Sequence, residues 1–113
     1  MNQLTENSYP NSLPEVNEYE KFSETLKALS HPVRLKIMQL LLSDKICVNE
    51  IVKRLDVPQS IISQHLSILR NRGILVRQKK GTRTWYMISD DLAMVITNFL
   101  NGRDESRYKL KSY

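Results

Sequence analysis

Apolar residues keep a helical period through the first two-thirds of this chain and then switch to alternation, dividing it into a helical body and a short β segment. Tyr19, Phe22, Leu26 and Leu29 recur at intervals of three and four, predicting a helix from near Asn17. Ser30-His31-Pro32 interrupts it, and Pro32 suits the first position of a second helix carrying Val33, Leu35, Ile37, Met38, Leu41 and Leu42. Ser43-Asp44-Lys45 reads as a turn, Val48–Leu55 as a short third helix, and Asp56-Val57-Pro58 as the turn into a fourth helix over Gln59–Asn71 that stops at Gly73. Residues 74–78 and 84–88 are rich in β-branched and aromatic side chains around Gly81, which predicts a hairpin. Ser89-Asp90-Asp91 provides cap chemistry for a last helix bearing Leu92, Val95, Ile96, Phe99 and Leu100. The expected fold is mainly α with a small β-hairpin, in the order α-α-α-α-β-β-α. Residues 1–16, with Pro10 and Pro14, read as a flexible arm, 17–102 as one domain and 103–113 as a polar tail.

A short helix, a tight turn and a second helix followed by a hairpin make a winged helix-turn-helix, whose second helix enters the DNA major groove. The fourth helix fits that use. With about 100° per residue, Ile61, Ile62, Leu66, Ile68 and Leu69 gather in one arc, and Gln59, Ser60, Ser63, Gln64, Ser67, Arg70 and Asn71 in the other. The polar arc contains no acid. Short hydroxyls and amides can approach base edges, and glutamine can pair with adenine. His65 falls within the apolar arc and reads as packed, although a local tilt of the helix leaves a base-contacting position open.

Charge strengthens this picture. The 113 residues carry a net charge of +5, unevenly spread: residues 1–30 are net acidic, whereas residues 61–90 hold six Lys or Arg against the single Asp90. Arg77, Lys79, Lys80 and Arg83 surround the hairpin tip, where they can meet phosphates or the minor groove. Trp85 is assigned to packing, without a nucleic-acid role. No apolar run is long enough to span a membrane, and the polar, acidic first twenty residues exclude a signal peptide. The lone Cys47 cannot form an internal disulfide, so the chain reads as cytoplasmic. A Gly-rich phosphate loop and an ordered Ser/His/acid set are both missing, which argues against an enzyme. A protein-interaction module without DNA binding is the other alternative; the basic segment 61–90 weighs against it.

The first helix (Tyr19, Phe22, Leu26) and the last (Leu92, Val95, Ile96, Phe99) offer more apolar surface than three small helices cover. A homodimer through these residues is expected, with two reading helices one DNA turn apart.

Taken together, Leu26-Lys27-Ala28-Leu29-Ser30-His31-Pro32-Val33-Arg34-Leu35-Lys36-Ile37, Pro58-Gln59-Ser60-Ile61-Ile62-Ser63-Gln64-His65-Leu66, Leu69, Gly73-Ile74-Leu75 and Tyr86-Met87-Ile88 resemble the ArsR/SmtB family of bacterial winged helix-turn-helix repressors from about Phe22 to Leu100. The resemblance implies a homodimeric repressor that occupies a palindromic operator on double-stranded DNA and is often controlled by an inducer. It also implies base reading by Gln59, Ser60, Ser63 and Gln64 and a wing contact near Arg83. Many members bind metal through a Cys-Val-Cys stretch, but Cys47-Val48-Asn49 has lost one thiolate, and residues 92–113 contain no His for the alternative zinc site. The expectation is therefore a member of the metal-independent branch, with no metal and no cofactor. Redox control through Cys47 is kept as an alternative to a buried thiol, and metal response as a further one.

Overall fold

The computed structural model describes residues 16–102. In chain order the elements are α1 (Val16–Leu29), α2 (Pro32–Leu41), β1 (Ile46–Cys47), α3 (Val48–Leu55), α4 (Gln59–Asn71), β2 (Leu75–Lys80), β3 (Arg83–Ile88) and α5 (Asp91–Asn101). Most of the arm expected over residues 1–16 and all of the tail expected over 103–113 lie outside the described residues; Val16 already opens α1.

Local chemistry explains most boundaries. His31 caps α2: its Nδ1 accepts the Val33 N–H at 3.1 Å while Pro32 occupies the first turn. Arg34 reaches back to donate to the Ala28 carbonyl at 3.0 Å, satisfying an open acceptor at the end of α1. At the close of α3, Asp56 takes the left-handed conformation (φ 54°), a conformation Asp tolerates better than most residues. The end of α4 forms a Schellman motif. Gly73 (φ 76°) donates to the Arg70 carbonyl at 2.9 Å, Ile74 donates to Leu69 at 2.9 Å, and the Leu69 and Ile74 side chains are both sealed from solvent. Asp90 caps α5, its Oδ2 accepting the Ala93 N–H at 2.9 Å.

The sheet has three antiparallel strands in the order β1-β3-β2, one more than the expected hairpin. The added strand is only Ile46 and Cys47, paired with Tyr86 and Trp85, too short for any alternation to register in sequence. The wing strands also run further than expected, to Lys80 and from Arg83, because Lys79↔Thr84 and Lys80↔Arg83 continue the ladder through cationic positions. Only Gly81 and Thr82 remain in the turn. Positive φ at Gly81 (63°) but not at Thr82 matches the two-residue hairpin turn with glycine first.

One core unites these elements. Ile37, Met38 and Leu41 of α2, Ile51 of α3, Ile62, Leu66 and Leu69 of α4, and Ile74, Leu75 and Tyr86 of the sheet are buried together. One sequence assignment needs correction. Ile61 and Ile68, placed in the buried arc of α4, are 38% and 37% exposed, because only the centre of that arc meets α2 and α3. On α5 the sealed residues are Ala93 and Thr97, which the sequence reading did not single out, and Thr97 Oγ1 donates to the Ala93 carbonyl at 2.7 Å. No described helix is long and apolar enough to cross a membrane.

Two substitutions calibrate this account by urea denaturation. Asp90→Ala removes a cap and is expected to lower stability by about 1 kcal/mol. Leu69→Ala opens a cavity on the buried side of α4 and is expected to lower it by about 2–5 kcal/mol.

Candidate nucleic-acid interface

The three residues Asp56, Val57 and Pro58 separate α3 from α4, and burial of Ile62, Leu66 and Leu69 turns the opposite side of α4 outward. Gln59, Ser60, Ser63, Gln64 and Ser67 are all exposed there, and Arg70 is half-buried. The first turn of α4 carries no acid, and no side chain caps it, so its partial positive charge faces outward. The wing supplies cations beside it, with Lys79, Lys80 and Arg83 exposed.

Between the start of α3, the start of α4 and the wing lies a polar groove of about 210 Å³. It brings together Gln59 and Ser63 of α4, Arg77 of β2 and Arg83 and Thr84 of β3, with Asn49 of α3 at its wall. Of the residues expected from sequence, Gln59, Ser63 and Arg83 converge here. Ser60, Gln64, Ser67, Arg70, Lys79 and Lys80 lie outside the groove. Asn49 and Thr84 were not singled out as contact residues. Arg77 was visible among the wing cations, whereas the approach of Asn49 depends on the unforeseen β1–β3 pairing, which holds the start of α3 against the wing.

Behind the polar face of α4, His65 is half-buried and packs on His31 with ring centroids 4.3 Å apart and planes tilted by 42°. Its Nδ1 is buried without a hydrogen-bond partner, as is Arg34 Nε. Desolvation, and then the neighbouring His31 and Arg34, lower the His65 pKa below its ordinary 6.5. This places His65 in packing, joining α4 to the start of α2. Trp85 is less buried than a core assignment implies. It is half-buried, and the Lys45 ammonium stands 5.6 Å from its ring centroid. Cys47 is half-buried and borders the polar groove. Among the described residues, no group of three or more His, Cys, Asp or Glu is arranged to hold a metal ion.

Along α1 and α5, Tyr19 (46%), Phe22 (40%), Leu26 (52%), Val95 (63%) and Phe99 (63%) are exposed. Leu92 is half-buried, and Ile96 packs partly against the monomer's own core.

A helix pair with an outward, acid-free second helix and a cationic wing defines a winged helix-turn-helix DNA-binding protein. Comparison with known proteins agrees. The profile of the bacterial regulatory protein, arsR family, matches residues 31–76. An uncharacterized HTH-type transcriptional regulator, MJ1325 of Methanocaldococcus jannaschii, is 43% identical over 77 residues, covering 67% of this chain and 86% of that protein. The transcriptional repressor PagR of Bacillus anthracis is 37% identical over 83 residues, covering 73% and 83%. The crystal structure of PagR superposes with a TM-score of 0.72 at 35% identity, over 77% of this chain and all of that one. HlyU from Vibrio cholerae gives 0.74 at 30% identity, over 77% and 95%. The chain belongs to the ArsR family and is a DNA-binding transcriptional regulator.

The lowered His65 pKa makes stability depend on pH. Below about pH 6.5 the unfolded chain takes up a proton more readily than the folded one, so stability falls as pH drops toward the folded-state value and is fully retained above the unfolded value. Urea midpoints measured across that interval are expected to decline in the native protein and to decline less in His65→Gln.

Proposed function

We propose that the protein is a homodimeric repressor that occupies a palindromic operator, reading bases with α4 and gripping phosphates with the wing. The observation that carries this reading is the convergence of Gln59, Ser63, Arg77 and Arg83 from three elements on one acid-free groove. Gln59, Ser60, Ser63 and Gln64 meet base edges. Arg70, Lys79, Lys80 and Arg83 neutralise backbone phosphates, and Ser67 completes the contact surface. Repression rather than activation is supported by the name of PagR; HlyU of Vibrio cholerae is named a transcriptional activator, so direct competition with another DNA-bound protein is the second route to control. The protein works in the cytoplasm without a metal: Asn49 supplies an amide where metal-binding relatives of the resembling family carry a second thiolate.

Anisotropy titrations on labelled DNA from the gene's own upstream region, with random DNA as control, test the reading. Gln59→Ala is expected to alter sequence preference by about 1–3 kcal/mol at one base pair. Lys80→Ala is expected to weaken specific and random DNA alike and to lower the salt slope by about one. Unchanged preference in Gln59→Ala contradicts the assignment of the reading face. Addition of zinc is expected to leave affinity unchanged. Loss of binding on oxidation of the wild type but not of Cys47→Ser supports thiol control instead, the reading favoured by the place of Cys47 on the groove wall.

Dimerisation uses the exposed α1–α5 surface. A charge there cannot be buried without a partner, so Val95→Glu is expected to sediment as a monomer and to lose at least about tenfold in operator affinity, because two half-sites one helical turn apart are no longer engaged together. A Val95→Glu protein that remains dimeric places the interface elsewhere.

A further inference from the structure

A second cavity, of about 410 Å³, lies on the other side of Arg83, between the α2–β1 corner, α3 and the edge of β3. Its volume falls within the range of small-molecule sites. Its wall mixes apolar and cationic side chains. Leu40, Ile46 and the half-buried Trp85 are the apolar part, while Lys45, Arg54 and Arg83 bring positive charge. Two acids share the lining: Glu50 pairs with Arg54 at 2.9 Å, whereas Asp44, whose carboxylate accepts only the Lys45 backbone N–H at 2.7 Å, keeps its charge and leaves the wall with three cations against two acids. Neither the Lys45 ammonium nor the Arg83 guanidinium has a carboxylate partner among the described residues. Lys45 instead stands over the Trp85 ring.

An aromatic face beside two cations that lack a carboxylate partner suits a flat ring carrying one carboxylate: the ring stacks on Trp85 and the carboxylate meets Lys45 and Arg83. Arg83 also lines the polar groove assigned above to DNA, so a ligand that holds it in this cavity draws it away from phosphate. We propose that this cavity is an effector site for small aromatic carboxylates, whose binding weakens the grip on DNA through Arg83. The coupling rests on the DNA-contact role given to Arg83; the site itself does not.

Trp85 is the single tryptophan of the chain, so its fluorescence reports binding directly. The test titrates the full chain with benzoate, with benzyl alcohol as the uncharged ring and acetate as the carboxylate without a ring. Benzoate is expected to change Trp85 emission saturably in the millimolar range, the two controls are not, and Lys45→Gln is expected to lose the response. In parallel anisotropy titrations, saturating benzoate is expected to weaken wild-type binding to upstream DNA about tenfold and to lower its salt slope by about one. Lys45→Gln is expected to bind DNA as tightly as wild type and to ignore benzoate. Absence of a saturable benzoate response, or an equal response to acetate or benzyl alcohol, overturns the site. A benzoate response that leaves DNA affinity unchanged overturns the coupling. If the protein without benzoate binds no DNA, the functional reading fails and the fluorescence titration still decides the site.

Discussion

Ile62, Leu66 and Leu69 lie on one stripe of α4, and their burial against α2 and α3 decides where every polar side chain of that helix points. A helix has one rotational setting when its apolar stripe is sealed. With these three sealed, Gln59, Ser60, Ser63, Gln64 and Ser67 face solvent together. The same packing fixes the wing, since Ile74 leaves α4 through the Schellman turn directly into the sheet, and Ser89 ties the far end of the hairpin back by donating to the Gly73 carbonyl at 3.0 Å. The Arg72–Glu24 ion pair joins the end of α4 to α1 at the surface, where such a pair contributes little.

The tilted His31 and His65 rings are a second contact of α4, of a different kind. They join it to the start of α2, but the His65 Nδ1 is buried there without a partner. Hydrophobic burial therefore orients α4, and a polar contact that costs stability at low pH helps to place it.

Much of this was legible in the sequence because the signals were local and strong. Proline at the start of α2, glycine after α4 and the Asp90 cap marked boundaries that the structure reproduces, and the apolar period of α4 gave its inner and outer faces. What escaped was non-local. A two-residue strand has no period, so β1 was not foreseen, nor was the approach of Asn49 to the wing that follows from it. The margins of an apolar arc cannot be assigned without knowing how wide the opposing surface is; Ile61 and Ile68 sit at those margins and are partly exposed. Likewise, Ala93 and Thr97 pack inward because α5 lies close to α2, where Gln39 Nε2 donates to the Thr97 carbonyl at 3.4 Å, and a small and a polar side chain carry no hydrophobic signal that marks them as core. The second cavity depends on the same α2–β1 corner and gave no sign in the sequence.

The central claim is that α4 and the wing form one continuous DNA-contact surface. Backbone amide chemical-shift mapping of the protein titrated with a short duplex from its own upstream region tests it most directly. The account predicts the largest shifts along Gln59–Ser67 and the β2–β3 wing, with Asn49 included. Shifts confined to α1 and α5, with α4 and the wing unmoved, would contradict it.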